Sequence, residues 1–168
     1  MNHFHDINEE GAANEAMRHV AHDTWIKRAE GNGINVNGCD LKASMMDRVQ
    51  WAITNGMLIA IMYFRYSSDK QGSTAQQIAK VAEYAADHKM YVVPELICGD
   101  EAVTGRKNQR PGITRLTQVL DTGIADAFLI YKLSRLGRRS DKQSTFLREE
   151  VVGRGVRAVS VTENVDSA

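Results

Sequence analysis

The stretch MLIAIMYFRYSS, Met57 to Ser68, decides the fold. Its first seven residues, Met57 to Tyr63, are an unbroken apolar run, the pattern of a central parallel strand covered on both faces. Beyond the run the chain turns cationic and hydroxylated within a few residues. If it stays extended there, alternation places Tyr63, Arg65 and Ser67 on one face and Phe64, Tyr66 and Ser68 on the other. An arginine then stands beside a hydroxyl at the carboxyl end of a central strand.

Downstream, strand and helix signals alternate. Ser73 and Gln76 form a capping box, and Ile78, Val81, Ala82 and Ala85 follow at the spacing of one buried helical stripe. Tyr91 to Leu96 reads as a second strand. A loop with Gly99, Gly105, Pro111 and Gly112 leads into a short helix carrying Ile113, Leu116, Val119 and Leu120. Ala127 to Tyr131 is a third strand, Ser140 with Gln143 is a second capping box opening a helix through Phe146, Leu147 and Val151, and Val156 to Val161 is a fourth strand. This order predicts a three-layer α/β domain over residues 57–168, with a mostly parallel four- to five-stranded sheet.

Upstream, residues 1–56 read as a helical N-terminal extension. Met17, Val20, Ala21 and Trp25 recur at helical spacing, as do Met45, Val49, Ala52 and Ile53 before Asn55-Gly56. The connecting EGNGINVNG is longer than the three-to-four-residue turn of a DNA-reading helix-turn-helix, which favours a packing or capping role. His3, His5, His19 and His22 have no Cys or carboxylate pattern to complete a metal site and are read as surface residues. Cys39 and Cys98 lack short-spacing partners, so a zinc knuckle or disulfide framework is excluded in favour of two buried or free thiols.

The 168 residues are 43% apolar and 25% charged, with 2 Pro and 13 Gly, inside the globular range. No window approaches the ~18 apolar residues of a membrane span, and MNHFHDINEE lacks the order of a secretory signal, so a cytoplasmic protein is expected. The 21 basic and 21 acidic side chains cancel, but unevenly. Residues 105–157 hold 12 Lys and Arg against 5 Asp and Glu, whereas residues 1–56 hold 5 against 8.

In an open parallel sheet, functional groups gather outside the carboxyl ends of the strands. Three strand ends there supply cations: Arg65 after the first, Arg106, Lys107 and Arg110 after the second, and Lys132 to Arg139 (KLSRLGRR) after the third. If the last segment is helical, Arg135 and Arg138 project from one side. The sequence has no G-x-S-x-G elbow, His88 is the only histidine after Ser67, and both the phosphate-cradling and the dinucleotide glycine motifs are missing. A serine among guanidinium groups suits attack on a phosphodiester, because arginine forks bind the non-bridging oxygens and neutralise charge that develops in the transition state. The same residues equally suit ion pairing by Arg65 and Arg135 with Ser67 as a turn cap.

Four motifs in order, YFRYSSDKQ (Tyr63 to Gln71), S-x-x-x-Q (Ser73 to Gln77), RPG (Arg110 to Gly112) and KLSRLGR (Lys132 to Arg138), resemble the catalytic domain of the serine recombinases, the resolvase/invertase family. The likeness runs from about Ile59 to Asp166. It implies a site-specific DNA recombinase that forms a 5′-phosphoserine bond and conserves the bond energy, so that religation needs no cofactor, neither ATP nor a metal. By position, Ser67 is the nucleophile, with Arg65, Arg135 and Arg138 binding and activating the scissile phosphate. Arg110 matches an arginine of a mobile loop, Gln71 and Gln77 match supporting polar positions, and Tyr63 and Lys132 complete the phosphate-binding or supporting set. Ser68 competes as nucleophile, but the first serine after R-x fits the motif. Ser134 and Arg139 stand where aspartate is frequent in the family.

The family's catalytic domain is followed by a long dimerising helix and a DNA-binding domain, and this sequence stops where that helix would start. DNA is the implied partner. Dimers or tetramers are expected for the family, but here a predominantly monomeric protein with weak DNA binding is expected. The alternative is a truncated recombinase-like module that lacks independent activity and associates with a full-length recombinase or other partner.

Overall fold

A computed structural model describes residues 9–67, 71–102 and 110–168, with side chains described from residue 14 and, after the first break, from residue 73. Helix α1 (Glu9–Gly31) and helix α2 (Met45–Thr54) precede strand β1 (Leu58–Tyr66). There follow α3 (Gln71–Asp87), β2 (Met90–Val92), a 3-10 turn at Pro94–Leu96, β3 (Cys98–Glu101), α4 (Pro111–Asp121) and β4 (Ala127–Ile130). A second 3-10 turn, Leu133–Arg135, leads to α5 (Ser140–Phe146), which widens into a π-helical turn at Leu147–Val151 before β5 (Arg157–Ser160) and β6 (Val165–Asp166).

β1 is the centre of the sheet. Its register pairs Ala60 with Val92 on one side and with Ala127 on the other, both parallel. Further along, Tyr63 pairs with Cys98 and with Ile130. β2 and β3 therefore lie end to end in one lane beside β1. β4 and β5 extend the sheet in parallel on the far side, and β6 closes it antiparallel. The mostly parallel α/β fold expected from the apolar run is present, with six strands among the described residues where four or five were expected.

The single strand expected at Tyr91 to Leu96 is broken at Pro94, which has no N–H to offer a ladder and opens a 3-10 turn instead. The lane resumes as β3, in a segment read from sequence as loop. Neither capping box forms. Ser73 lies inside α3, which already starts at Gln71, and Ser140 is the first residue of α5, whose start has no side-chain cap.

The two faces of β1 are covered by different helices. Met62 and Phe64 line a small cavity with Gln77, Ile78 and Val81 of α3, and the hydroxyl of Tyr63, which borders the same cavity, meets Arg110 at the start of α4. The third surface, the outer edge of the β2–β3 lane, is covered by α1. Asn14 Nδ2, Arg18 Nη2 and Trp25 Nε1 donate to the carbonyls of Gly99, Ile97 and Met90 at 3.5, 3.0 and 2.7 Å. A helix laid along an open sheet edge removes a template for strand addition. Trp25, Trp51 and Tyr91 then meet edge to face with ring centroids 5.1–6.3 Å apart, each pair contributing about 0.5–1.5 kcal/mol beyond burial.

Residues of α1 and α2 thus belong to the same apolar core as the sheet. Two readings of this segment change. Ile53, placed on the apolar stripe, faces outward, while His22, expected at the surface, is 5% exposed. His22 faces the segment after α1, lining a common pocket with Val36, Cys39 and Leu41. Burial first, then the charge of Arg48, lowers its pKa. Cys39 and Cys98 are both buried free thiols.

Candidate active site

β1 stays extended through Tyr66, so Tyr63 and Arg65 share one face by alternation, and Ser67 is the first residue beyond the strand. Ser67 and Arg65 are half-buried. The Nε of Arg65 is shielded from solvent and has no hydrogen-bond partner among the described residues. Ser68, the competing serine, lies outside the described residues, as do Arg106, Lys107 and the side chain of Gln71.

The second part of the site is the turn after β4, Lys132 to Arg138. It is not the continuous helix considered for Arg135 and Arg138. One 3-10 turn ends at Arg135, and the chain bends through Gly137 before α5 begins. The turn has no side-chain cap of its own, and its backbone is held from outside. Tyr131 O accepts from Thr162 Oγ1 at 2.8 Å, and Leu133 N–H donates to Glu163 Oε2 at 3.0 Å. Arg110 donates through Nη2 to Arg135 O at 3.2 Å and through Nη1 to Leu136 O, while Gln143 Nε2 donates to Gly137 O. Against this backbone restraint, Arg135 Nε is buried without a partner, and Arg138 is exposed with no hydrogen bond or ion pair among the described residues. Gln77, Tyr131 and Arg135 line the cavity under Phe64, about 10 Å³, room for roughly one water.

Tyr63 and Arg110 are turned into the protein. Tyr63 is 1% exposed and donates to Asp100 Oδ2 at 2.7 Å, while accepting from Arg110 Nη2 at 2.9 Å. The Arg110 guanidinium lies 5.7 Å from the Tyr63 ring centroid, with Nε 3.9 Å from Asp100. Asp100, 2% exposed, also accepts the Gly112 and Ile113 N–H groups at 2.7 and 3.1 Å, holding the start of α4. Burial, reinforced by the Asp100 charge, pushes the Tyr63 phenol well above its usual pKa, so it remains a donor. The RPG motif has a steric reason as well: a Cβ on Gly112 would stand 2.5 Å from Gly99 O. Lys132, half-buried, precedes the turn and adds to the charges that favour the ionised Glu163.

Asp100, Gln143, Thr162 and Glu163 were not among the residues read from the sequence as functional. Their partners lie 12–37 residues away for Asp100 and 30–31 for Thr162 and Glu163, distances at which no local motif exists. The one available cue was Asp100 itself, an acid just after the apolar Leu96 to Cys98.

A mostly parallel sheet centred on β1, with helices on its faces, is the architecture of a resolvase-like catalytic domain. Residues 60–168 match the family described as Resolvase, N terminal domain, and the chain belongs to that family. Among solved structures it is similar to the N-terminal catalytic domain of TP901-1 integrase, with 25% identity, a TM-score of 0.56 and coverage of 65% of this chain and 81% of the other. It is also similar to the C-terminal catalytic domain of ISC1926 TnpA, an IS607-like serine recombinase, at 27% identity, TM-score 0.53, and 63% and 71% coverage. A resolvase family site-specific recombinase from Streptococcus pneumoniae shares the fold at 22% identity, TM-score 0.52, and 66% and 76% coverage. A search of the curated proteins gives no match. Among the described residues, no group of three or more His, Cys, Asp or Glu could hold a metal ion, and no helix is long and apolar enough to cross a membrane.

Proposed function

We propose that this chain is the catalytic domain of a site-specific DNA recombinase that cuts and rejoins DNA through a covalent bond to Ser67. The observation that carries this reading is the contrast within the arginine turn, where the backbone is held by the side chains of Arg110, Glu163 and Gln143 while, among the described residues, the Arg135 Nε and the Arg138 side chain lack partners. A backbone set before the substrate arrives leaves only the arginine side chains to reorganise as charge develops, which is where such groups contribute most.

Ser67 Oγ loses its proton and attacks the phosphorus, forming a P–Oγ bond. The P–O3′ bond breaks and the 3′ oxygen takes a proton. One phosphodiester becomes another, so attack by a 3′ hydroxyl on the phosphoserine reverses the step without an external energy source. Arg65, Arg135 and Arg138 donate to the non-bridging oxygens and stabilise the extra negative charge of the pentacovalent state. Their positive charge also favours the serine alkoxide. Gln77 lines the cavity beside Arg135; Gln71, the first residue of α3, is the other polar position of the motif. Tyr63 and Arg110 act from beneath as supports of the turn. Each Ser67 cuts one strand, so exchange of duplexes calls for more than one copy of the chain.

The test uses supercoiled plasmid carrying the DNA that flanks the gene, denatured after incubation. Wild-type protein is expected to yield a detergent-stable protein–DNA adduct through a 5′ phosphate, and Ser67→Ala none. Equal adduct from both proteins rejects the assignment.

A further inference from the structure

The group that caps the arginine turn comes from another part of the sheet. β5 and β6 are joined by residues 161–164, with Asn164 in the left-handed region at φ 53°. This hairpin grips the exit of β4 in succession. Val161 N–H donates to Ile130 O at 2.9 Å, Thr162 donates to Tyr131 O through N–H and Oγ1 at 3.2 and 2.8 Å, and the Glu163 carboxylate accepts Leu133 N–H at 3.0 Å. Ser160 Oγ donates to the same Glu163 oxygen at 2.7 Å and so steers it. Leu133 is the first residue of the 3-10 turn, and Arg135 is its last. The Ser160 hydroxyl, then the Leu133 amide, hold Glu163 below the usual carboxylate range, so it is anionic at neutral pH.

Three of the contacts along this hairpin continue the sheet or hold its exit, but the one at Glu163 differs. It reaches past the end of β4 to the segment that carries the arginines. A small error in the placement of a reacting group costs far more rate than stability, by as much as ~10²-fold for about 1 Å.

We propose that Glu163, oriented by Ser160, is a positioning residue that sets the arginine turn for binding phosphate. The identity of that phosphate as DNA rests on the preceding reading, whereas the geometry does not. Glu163 acts through the Leu133 amide and does not itself meet the substrate.

The experiment reads the Leu133 amide and the Arg135 Nε–H by ¹⁵N NMR, together with affinity for a short random-sequence DNA duplex. Glu163→Ala is expected to broaden both signals and to weaken duplex binding by up to roughly tenfold, the value of one hydrogen bond. Glu163→Gln, which keeps an acceptor, is expected to return both signals. Thr162→Val removes a hairpin bond without touching Leu133 and is expected to leave the Arg135 signal in place. If Thr162→Val disturbs Arg135 as much as Glu163→Ala does, or if Glu163→Ala leaves it unchanged, the proposal is overturned. Should Glu163→Ala fail to fold, Ser160→Ala leaves the carboxylate unsteered and is expected to broaden Leu133 more than Thr162→Val does; the reverse order overturns the proposal. Failure of the Ser67 adduct test removes the recombinase reading but leaves these NMR outcomes decisive for positioning.

Discussion

Arg48 and Arg135 are arginines of the same fold in opposite situations. Arg48, on α2, is 1% exposed, and every arm of its guanidinium is engaged. Nε donates to Ala43 O at 3.2 Å, Nη1 to Tyr91 OH and Glu95 Oε1 at 3.0 Å each, and Nη2 to Glu95 Oε2. Arg135 has its Nε buried with no partner among the described residues, while its backbone carbonyl is held by Arg110. Arg48 spends its donors on the protein; under the proposed function, Arg135 keeps its Nε for the phosphate while its backbone is restrained. The alternative reading of Arg135 as an ion-pair partner finds no ion pair among the described residues.

The sharpest way to break this comparison is to truncate both kinds of arginine. Arg135→Ala and Arg138→Ala are each expected to slow adduct formation by ~10²–10³, the scale for losing a donor aimed at developing charge. Their thermal midpoints should move little. A midpoint loss proportionate to the activity loss would place them with Arg48. Conversely, Arg48→Met leaves the Tyr91 hydroxyl and the Ala43 carbonyl without their partner. It is expected to destabilise by about 2 kcal/mol, lowering the midpoint by roughly 4–8 °C for a chain of this size. In protein that remains folded, adduct formation should be unchanged. A rate effect for Arg48→Met at full folding would show that the α1–α2 flank reaches the site.

The smallest effect concerns pH. His22 is buried beside the Arg48 charge, and its pKa is lowered in the fold, so the unfolded chain binds the proton more readily. The contribution of neutral His22 is therefore fully present above the unfolded value near 6.5 and is lost as pH falls below it. The slope from this one group is no steeper than about 1.4 kcal/mol per pH unit. Urea titrations between pH 7 and pH 5 should show the decline, and His22→Leu should flatten it. An unchanged slope in the variant would mean that other groups carry the acid sensitivity.

How far the fold was legible differs along the chain for physical reasons. The run Met57 to Tyr63 was readable because a strand buried on both faces cannot hide its composition. Tyr91 to Leu96 is largely apolar, yet Pro94 breaks it, and whether a proline bends a strand or stops it depends on the ladder beside it. The capping boxes failed because Ser73 and Ser140 satisfy a four-residue pattern that many non-capping sites also satisfy. In the site, Ser67, Arg65, Arg135 and Arg138 stood out because cations and a hydroxyl cluster at strand ends. Which way Arg110 and Tyr63 turn was not visible, since Asp100 lies 37 residues from Tyr63.

By itself the sequence determined the central strand, the alternation of helices with the strands β1, β4 and β5, and the family, because these depend on local composition and short motifs. Tertiary structure alone decided that α1 seals the β2–β3 edge and that Asp100 pulls Tyr63 and Arg110 inward. It also decided that Glu163 caps a turn 30 residues away. Each of these is a polar contact between distant segments, made only when burial removes the competing water, and no pattern within a single segment encodes it.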